Sequence, residues 1–166
     1  MKRIIVSLMI LAAIAGVASA ATTGSIVLSG TVTSILSITV TSSGAGSGLD
    51  LTTDQSNVNV GTVVEYSNLV VGYTVKITSA NAKAAGVNDA RFEGADGANP
   101  DTLDYTVSYG GVPVTFSAGV ATVTDSTGKT PLAGSSNDVL ISFSGSGANL
   151  RADSYGDTLT FDIASK

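Results

Sequence analysis

The sequence predicts an all-β fold, an Ig-like antiparallel β-sandwich. Three observations carry this expectation. The chain is rich in Gly, Ser, Thr, Val and Ala, with only 13% charged residues and three Pro, a composition that suits strands and turns. Roughly eight short segments alternate apolar and polar residues, the period of a strand with one buried face. Turn residues punctuate these segments, and none sustains the period of an amphipathic helix.

Residues 1–20, MKRIIVSLMILAAIAGVASA, have the three parts of a secretory signal. Lys2 and Arg3 form the basic start. Ile4 to about Ala15 is an apolar run too short to span a bilayer. Ala18 and Ala20 are small residues at the spacing a signal peptidase reads. No Cys follows, so a lipid-modified N-terminus is not expected. The remaining 146 residues suit one domain with a real core. They hold six basic and thirteen acidic residues, a formal charge of −7. That balance disfavours nucleic acid and anionic membranes as partners, and no later segment is apolar enough to span a bilayer. Secretion permits disulfides, but the chain has no Cys, so packing must hold it together.

The next stretch, TGSIVLSGTVTSILSITVTSS from Thr23 to Ser43, alternates, with mostly Ser and Thr at its odd positions. Positions 26 to 40 read Ile, Leu, Gly, Val, Ser, Leu, Ile, Val on the even side. At about 3.3 Å per residue, Ser25 to Thr41 would extend roughly 50 Å, against ~17–20 Å for a usual strand. Either the first part serves another molecule, or the whole is one bent strand or two strands of a closed domain with Gly30 as a bulge.

Ser42 to Gly48 is a loop with nothing to bury. Val58, Val60 and Val63 suggest a strand broken at Gly61. Leu69 to Ser79 reads as a strand with Val71, Tyr73, Val75 and Ile77 on one face. SANAKAAG is short and ends in Gly86, which favours a connector over a helix. Gly86 to Asp101 reads as a polar, acidic loop. In LDYTVSYGGVPVTF two alternating runs flank Gly110-Gly111, the signature of a tight β-hairpin. GVATVTD is a further strand. DVLISFSG is another, burying either Leu140, Ser142 and Ser144 or Val139, Ile141 and Phe143. DTLTFDIA closes the chain with a Leu159, Phe161, Ile163 face.

The residue inventory excludes several chemistries. Without His or Cys there is no Ser–His–Asp triad, no thiol nucleophile and no ordinary zinc site. Ser47 and Ser146 lack the Gly two residues earlier that a nucleophile elbow needs. GAGSGL misses the last Gly of a dinucleotide fingerprint, and no P-loop Lys follows. The acidic residues Asp89, Glu93, Asp96, Asp101 and Asp104 could serve glycoside hydrolysis or calcium binding. The chain offers no Trp platform for a sugar ring, and the spacing matches no EF-hand loop. Solvated loops are the simpler reading of these acids, so neither an enzyme nor a cofactor is expected. The five Tyr read as sheet and core residues.

The stretch IVLSGTVTSILSITV resembles the start of chaperone–usher fimbrial subunits, in which an alternating arm with a Gly partway along precedes the domain's first strand. Ile26, Leu28, Gly30 and Val32 match the arm's groove-filling positions. Ser34 falls in the break, and Leu36, Ile38 and Val40 match the inward face of the first strand. The C-terminal RADSYGDTLTFDIA is similar to the last strand of fimbrial and spore-coat-U-like subunits. The chain departs from the pattern twice. Ser37 stands where a Cys is common, and Ile163-Ala164-Ser165-Lys166 lacks the aromatic often offered to a chaperone.

After the signal peptide read at 1–20, the resemblance implies an arm at 21–33 and a sandwich at 34–166. It also implies a sandwich lacking one strand, completed by the arm of a neighbouring subunit through β-strand addition. Partners would be copies of the chain or related subunits, with a periplasmic chaperone and usher. The product would be a fibre at the cell surface, because head-to-tail exchange does not close. The alternative is a self-contained secreted sandwich binding sugar, protein or calcium, with Gly86–Asp104 the loop to look at.

Overall fold

The computed structural model describes residues 23–166. The expected signal peptide and the first two residues of the arm lie outside that range. Two units are distinguished, the N-terminal segment up to Val32 and the domain Thr33–Lys166.

The domain is an antiparallel β-sandwich, as the alternation requires. Its elements are β1 Leu36–Ser42, β2 Gln55–Ser67, β3 Tyr73–Ser79, α1 Ala80–Ala85, β4 Ala90–Gly94, β5 Thr102–Tyr109, β6 Val112–Pro113, β7 Val120–Ser126, β8 Ser135–Phe143, β9 Tyr155–Gly156 and β10 Leu159–Ser165. One sheet has the order β1-β2-β8-β5-β4-β9, with β6 paired to β5; the other has the order β10-β3-β7. β1 and β10 are therefore edge strands of different sheets.

The core lies between the sheets. Val63 and Ile77 are fully buried, joined by Leu103, Tyr105, Val107, Phe116, Val139, Ile141 and Phe143. Each such aliphatic or aromatic side chain contributes about 1.5–3 kcal/mol on burial. The last strand before the C-terminal loop selects the Val139, Ile141, Phe143 face of the two open from sequence. Phe92 packs on Tyr105 at 4.6 Å and meets the edge of Phe143 at 5.6 Å. The hairpin forms at Gly110-Gly111, both with positive φ, which admits the tight two-residue turn. The Gly61 irregularity is a register shift against β8 inside a continuous β2, not a strand break.

Three further local expectations are corrected. Ala80–Ala85 is a helical turn after all. Ser79 caps it by accepting from the Ala82 N–H at 3.2 Å, and Gly86 ends it in the left-handed region. Caps at both ends offset its short length. Ala90–Gly94 is a strand within the supposed acidic loop, because Ala90 and Phe92 alternate inward beneath the polar residues. The third strand begins only at Tyr73, so Val71 lies outside it and is exposed. There Gly72 turns the backbone at φ +85.

Candidate functional site: an open edge and an unpaired arm

The two sheets meet along β1 and β10, which lie close together, and the core is open where β1 ends and β10 begins. Leu36 and Ile38 of β1, and Leu159, Phe161 and Ile163 of β10, point inward yet are only half-buried; Val40 is exposed. Central strands bury the equivalent positions completely, as Val75 and Ile77 show. Between the end of β1 and the start of β10 opens a groove of about 320 Å³, with Val40, Leu49, Val60, Ile141, Leu159 and Phe161 in its lining; Leu36, Ile38 and Ile163 lie outside it. Both edge strands use one side for pairing, β1 with β2 and β10 with β3. Their other sides carry backbone N–H and C=O groups that a further strand can pair with.

The arm has the complementary character. Residues 24–33 form no strand. Ile26, Leu28 and Val32 are 88%, 90% and 89% exposed, and nothing lies within 4 Å of where a Cβ on Gly30 would stand. The four arm residues singled out from sequence are thus all unburied, as is Val27 between them, 88% exposed. Scattered single exposed apolar residues are ordinary; four large ones within seven positions are not.

Where the arm meets the domain, the chain is held by a residue that sequence reading missed. The Asn68 side chain donates to the Thr33 carbonyl at 2.8 Å and accepts from the Ile35 N–H at 2.7 Å. Its backbone N–H donates to the Ile35 carbonyl at 3.1 Å. An Asn after a strand reads as turn chemistry, and no local signal ties it to a segment 33 residues away.

Two carboxyl groups organise the tyrosines around the core. Glu65, 1% exposed, accepts from Tyr73 at 2.8 Å, Tyr109 at 2.6 Å and Thr124 at 2.6 Å. Tyr109 in turn packs 6.1 Å from Phe161, a groove residue. Asp157, at the groove's other end, accepts from Ser79 at 2.5 Å and Tyr105 at 2.6 Å. Burial, then the hydrogen bond to Glu65 and its charge, push the Tyr73 hydroxyl up to about 12. Burial and the same kind of bond raise Tyr109, against Glu65, and Tyr105, against Asp157. These hydroxyls are held as donors. Tyr73, Tyr105 and Tyr109 are core residues, as read from sequence, and each also satisfies an acid; Tyr66 and Tyr155 are half-buried sheet residues.

The acidic residues considered for calcium or hydrolysis do not converge. Asp104 stands 3.9 Å from Arg91, and Asp101 is bound by Arg151 at 2.8 Å. The Asp96 N–H donates to Asp153 at 3.0 Å. Hydrogen bonds from Asn99 and the Asp96 backbone hold Asp153 below the usual carboxylate range. Among the described residues, no group of three or more acidic side chains is placed to hold a metal ion.

The chain matches no protein-family model and no curated protein.

Proposed function

We propose that this protein is a structural subunit of a surface fibre that assembles by strand donation. Residues 24–33 of one copy enter the groove between β1 and β10 of another. The observation that carries the reading is the pairing of two complementary features in one chain: an exposed apolar arm, and a sandwich with two edge strands and a groove between the end of one and the start of the other. Ile26, Leu28 and Val32 would enter the groove, and Gly30 would pass where a side chain is unwelcome. Burial of three such side chains contributes about 5–9 kcal/mol gross. Main-chain bonds to the edge strand add about 1 kcal/mol each, and ordering the arm opposes both. The role is structural rather than catalytic, secretion delivers it, and other copies of the chain or related subunits are its partners. The resemblance adds a periplasmic chaperone and usher to that list.

The test uses the chain from Ala21 onward carrying Leu28→Asp, which disables its own arm as a donor and leaves its groove intact. Adding a free peptide covering Thr23 to Ser34 should raise its melting temperature and bind saturably. The unmodified chain should form concentration-dependent polymers. A stable, non-associating monomer that ignores the peptide would instead indicate a self-contained secreted sandwich.

A further inference from the structure

Strand donation, on which this inference rests, involves only one line of contact between copies. The structure points to a second. Loops 68–72 and 127–134 are stitched together at one pole of the domain. The Ser67 N–H donates to the Thr130 hydroxyl at 3.1 Å, and the Thr130 N–H donates to the Ser67 carbonyl at 2.8 Å. At Gly72, a Cβ would come 2.1 Å from the Ser126 carbonyl oxygen, so the loops touch there as well. On these loops stand Val70, 92% exposed, Leu132, 90% exposed, and Val71, 59% exposed. Outside the arm, these are three of the few large apolar side chains left in water.

The same pole is where the arm begins. Asn68 fixes Thr33 and Ile35 there. β1 starts at this pole, with Leu36 opposite Ser67, and β10 ends at it, with Ser165 opposite Tyr73. At the opposite pole, loops around 46–52 and 150–157 form a pocket of about 680 Å³ with Leu49, Leu51, Phe92 and Leu150 in its lining. This pocket shares Gly46, Leu49, Phe92 and Asp157 with the groove, so the two are continuous.

Tether length joins these facts. A donated arm running alongside β1 in the same direction leaves the groove at the pocket end. The reverse direction would crowd donor, acceptor and the acceptor's own departing arm at a single pole. From Val32, seated in the acceptor, to Ile35, clamped in the donor, is three residues, at most about 10 Å of extended chain. Val70 is two residues from the clamp. The donor's apolar loops are therefore carried to the mouth of the acceptor's pocket. Charge agrees: Lys129 is exposed on the donor's loop, while Asp50, Asp153 and Asp157 line the pocket and its lining cation, Arg151, is paired with Asp101.

We propose that Val70, Val71 and Leu132 form a second, pole-to-pole interface, docking on the Leu49, Leu51 and Leu150 pocket of the copy that receives the arm. The contact would set the angle between successive subunits and slow their separation, because each copy is then held at two points.

The experiment compares the chain from Ala21 onward with its Val70→Ser, Val71→Ser, Leu132→Ser triple variant and with Lys129→Glu. Assembly is followed by light scattering and dissociation by dilution. Binding of the Thr23–Ser34 peptide is measured in each background carrying Leu28→Asp. The peptide has no pole, so its binding reads strand donation alone. The triple variant should keep peptide affinity and monomer melting temperature within error, yet its polymers should dissociate at least 10-fold faster. Lys129→Glu should slow assembly several-fold at low salt, and high salt should narrow the gap. Peptide binding with unchanged assembly and dissociation in both variants overturns the pole contact and leaves strand donation standing. Absence of peptide binding removes strand donation and the pole contact with it.

Discussion

Replacing Glu65 by Ala tests whether the buried acid is a structural keystone beneath the groove. Its two oxygens accept three hydroxyls at 2.6–2.8 Å, and the residue is sealed from solvent. Each buried donor left without an acceptor costs about 1–3 kcal/mol. Some of that returns if water enters the space left behind, so a loss of about 3–5 kcal/mol is expected. A domain of this size has only about 5–15 kcal/mol in all, so the variant should be near the limit of folding. Glu65→Gln keeps the shape and one acceptor and should cost about 1–2 kcal/mol, the difference between charged and neutral hydrogen bonds. The assay is urea unfolding at pH 7, followed by circular dichroism and tyrosine fluorescence. Both variants would be made in the Leu28→Asp background, so that association does not add to apparent stability. The groove should loosen too, because Tyr109 supports Phe161, and the peptide should bind Glu65→Gln more weakly. A loss below about 1 kcal/mol for Glu65→Ala would refute the reasoning. So would a Gln variant less stable than the Ala variant.

Three further outcomes follow from the same contacts. The folded state raises the Tyr73 hydroxyl to about 12 and raises Tyr105 and Tyr109 as well. The unfolded chain ionises near pH 10, so it releases protons first. Stability should hold level below about pH 10 and fall as pH climbs from there toward 12; denaturation series from pH 8 to 11.5, with tyrosinate absorbance, check this. In the arm peptide, Leu28→Ser removes about 2–3 kcal/mol of burial and should weaken binding roughly 30- to 150-fold. Ser29→Thr on the opposite face should leave binding unchanged, and equal losses in the two peptides would count against the alternation. Gly72→Ala should destabilise the domain severely, because its Cβ would sit 2.1 Å from the Ser126 carbonyl at a φ of +85; an unchanged melting temperature would show that the two loops do not meet as described.

Much of the architecture was legible from residues alone because a half-buried strand must alternate. That single constraint located β1, β5, β7, β8 and β10, and Gly110-Gly111 marked the hairpin through the backbone freedom its turn requires. The same constraint picked out Ile26, Leu28, Gly30 and Val32 as one alternating set, with Val27 the apolar exception on the other side. It could not place β4, where polar neighbours mask two inward residues. Nor could it see α1, which depends on a Ser79 cap at one end and a left-handed Gly86 at the other.

What only the tertiary structure decided are relations between distant segments. Alternation says that a strand has an inner face, but not which neighbour covers it. That β1 and β10, at opposite ends of the domain sequence, become the edges of two sheets and leave a groove between them is a matter of strand order. Glu65 looks in sequence like an acid breaking an apolar run; only the fold surrounds it with hydroxyls from β3, β5 and β7. Asn68 looks like a turn residue, and only the fold brings Thr33 and Ile35 to its amide. Local periodicity is written along the chain because each residue faces its own backbone. Groove, clamp and buried acid arise between residues tens of positions apart, and their geometry exists only once the sheets have packed.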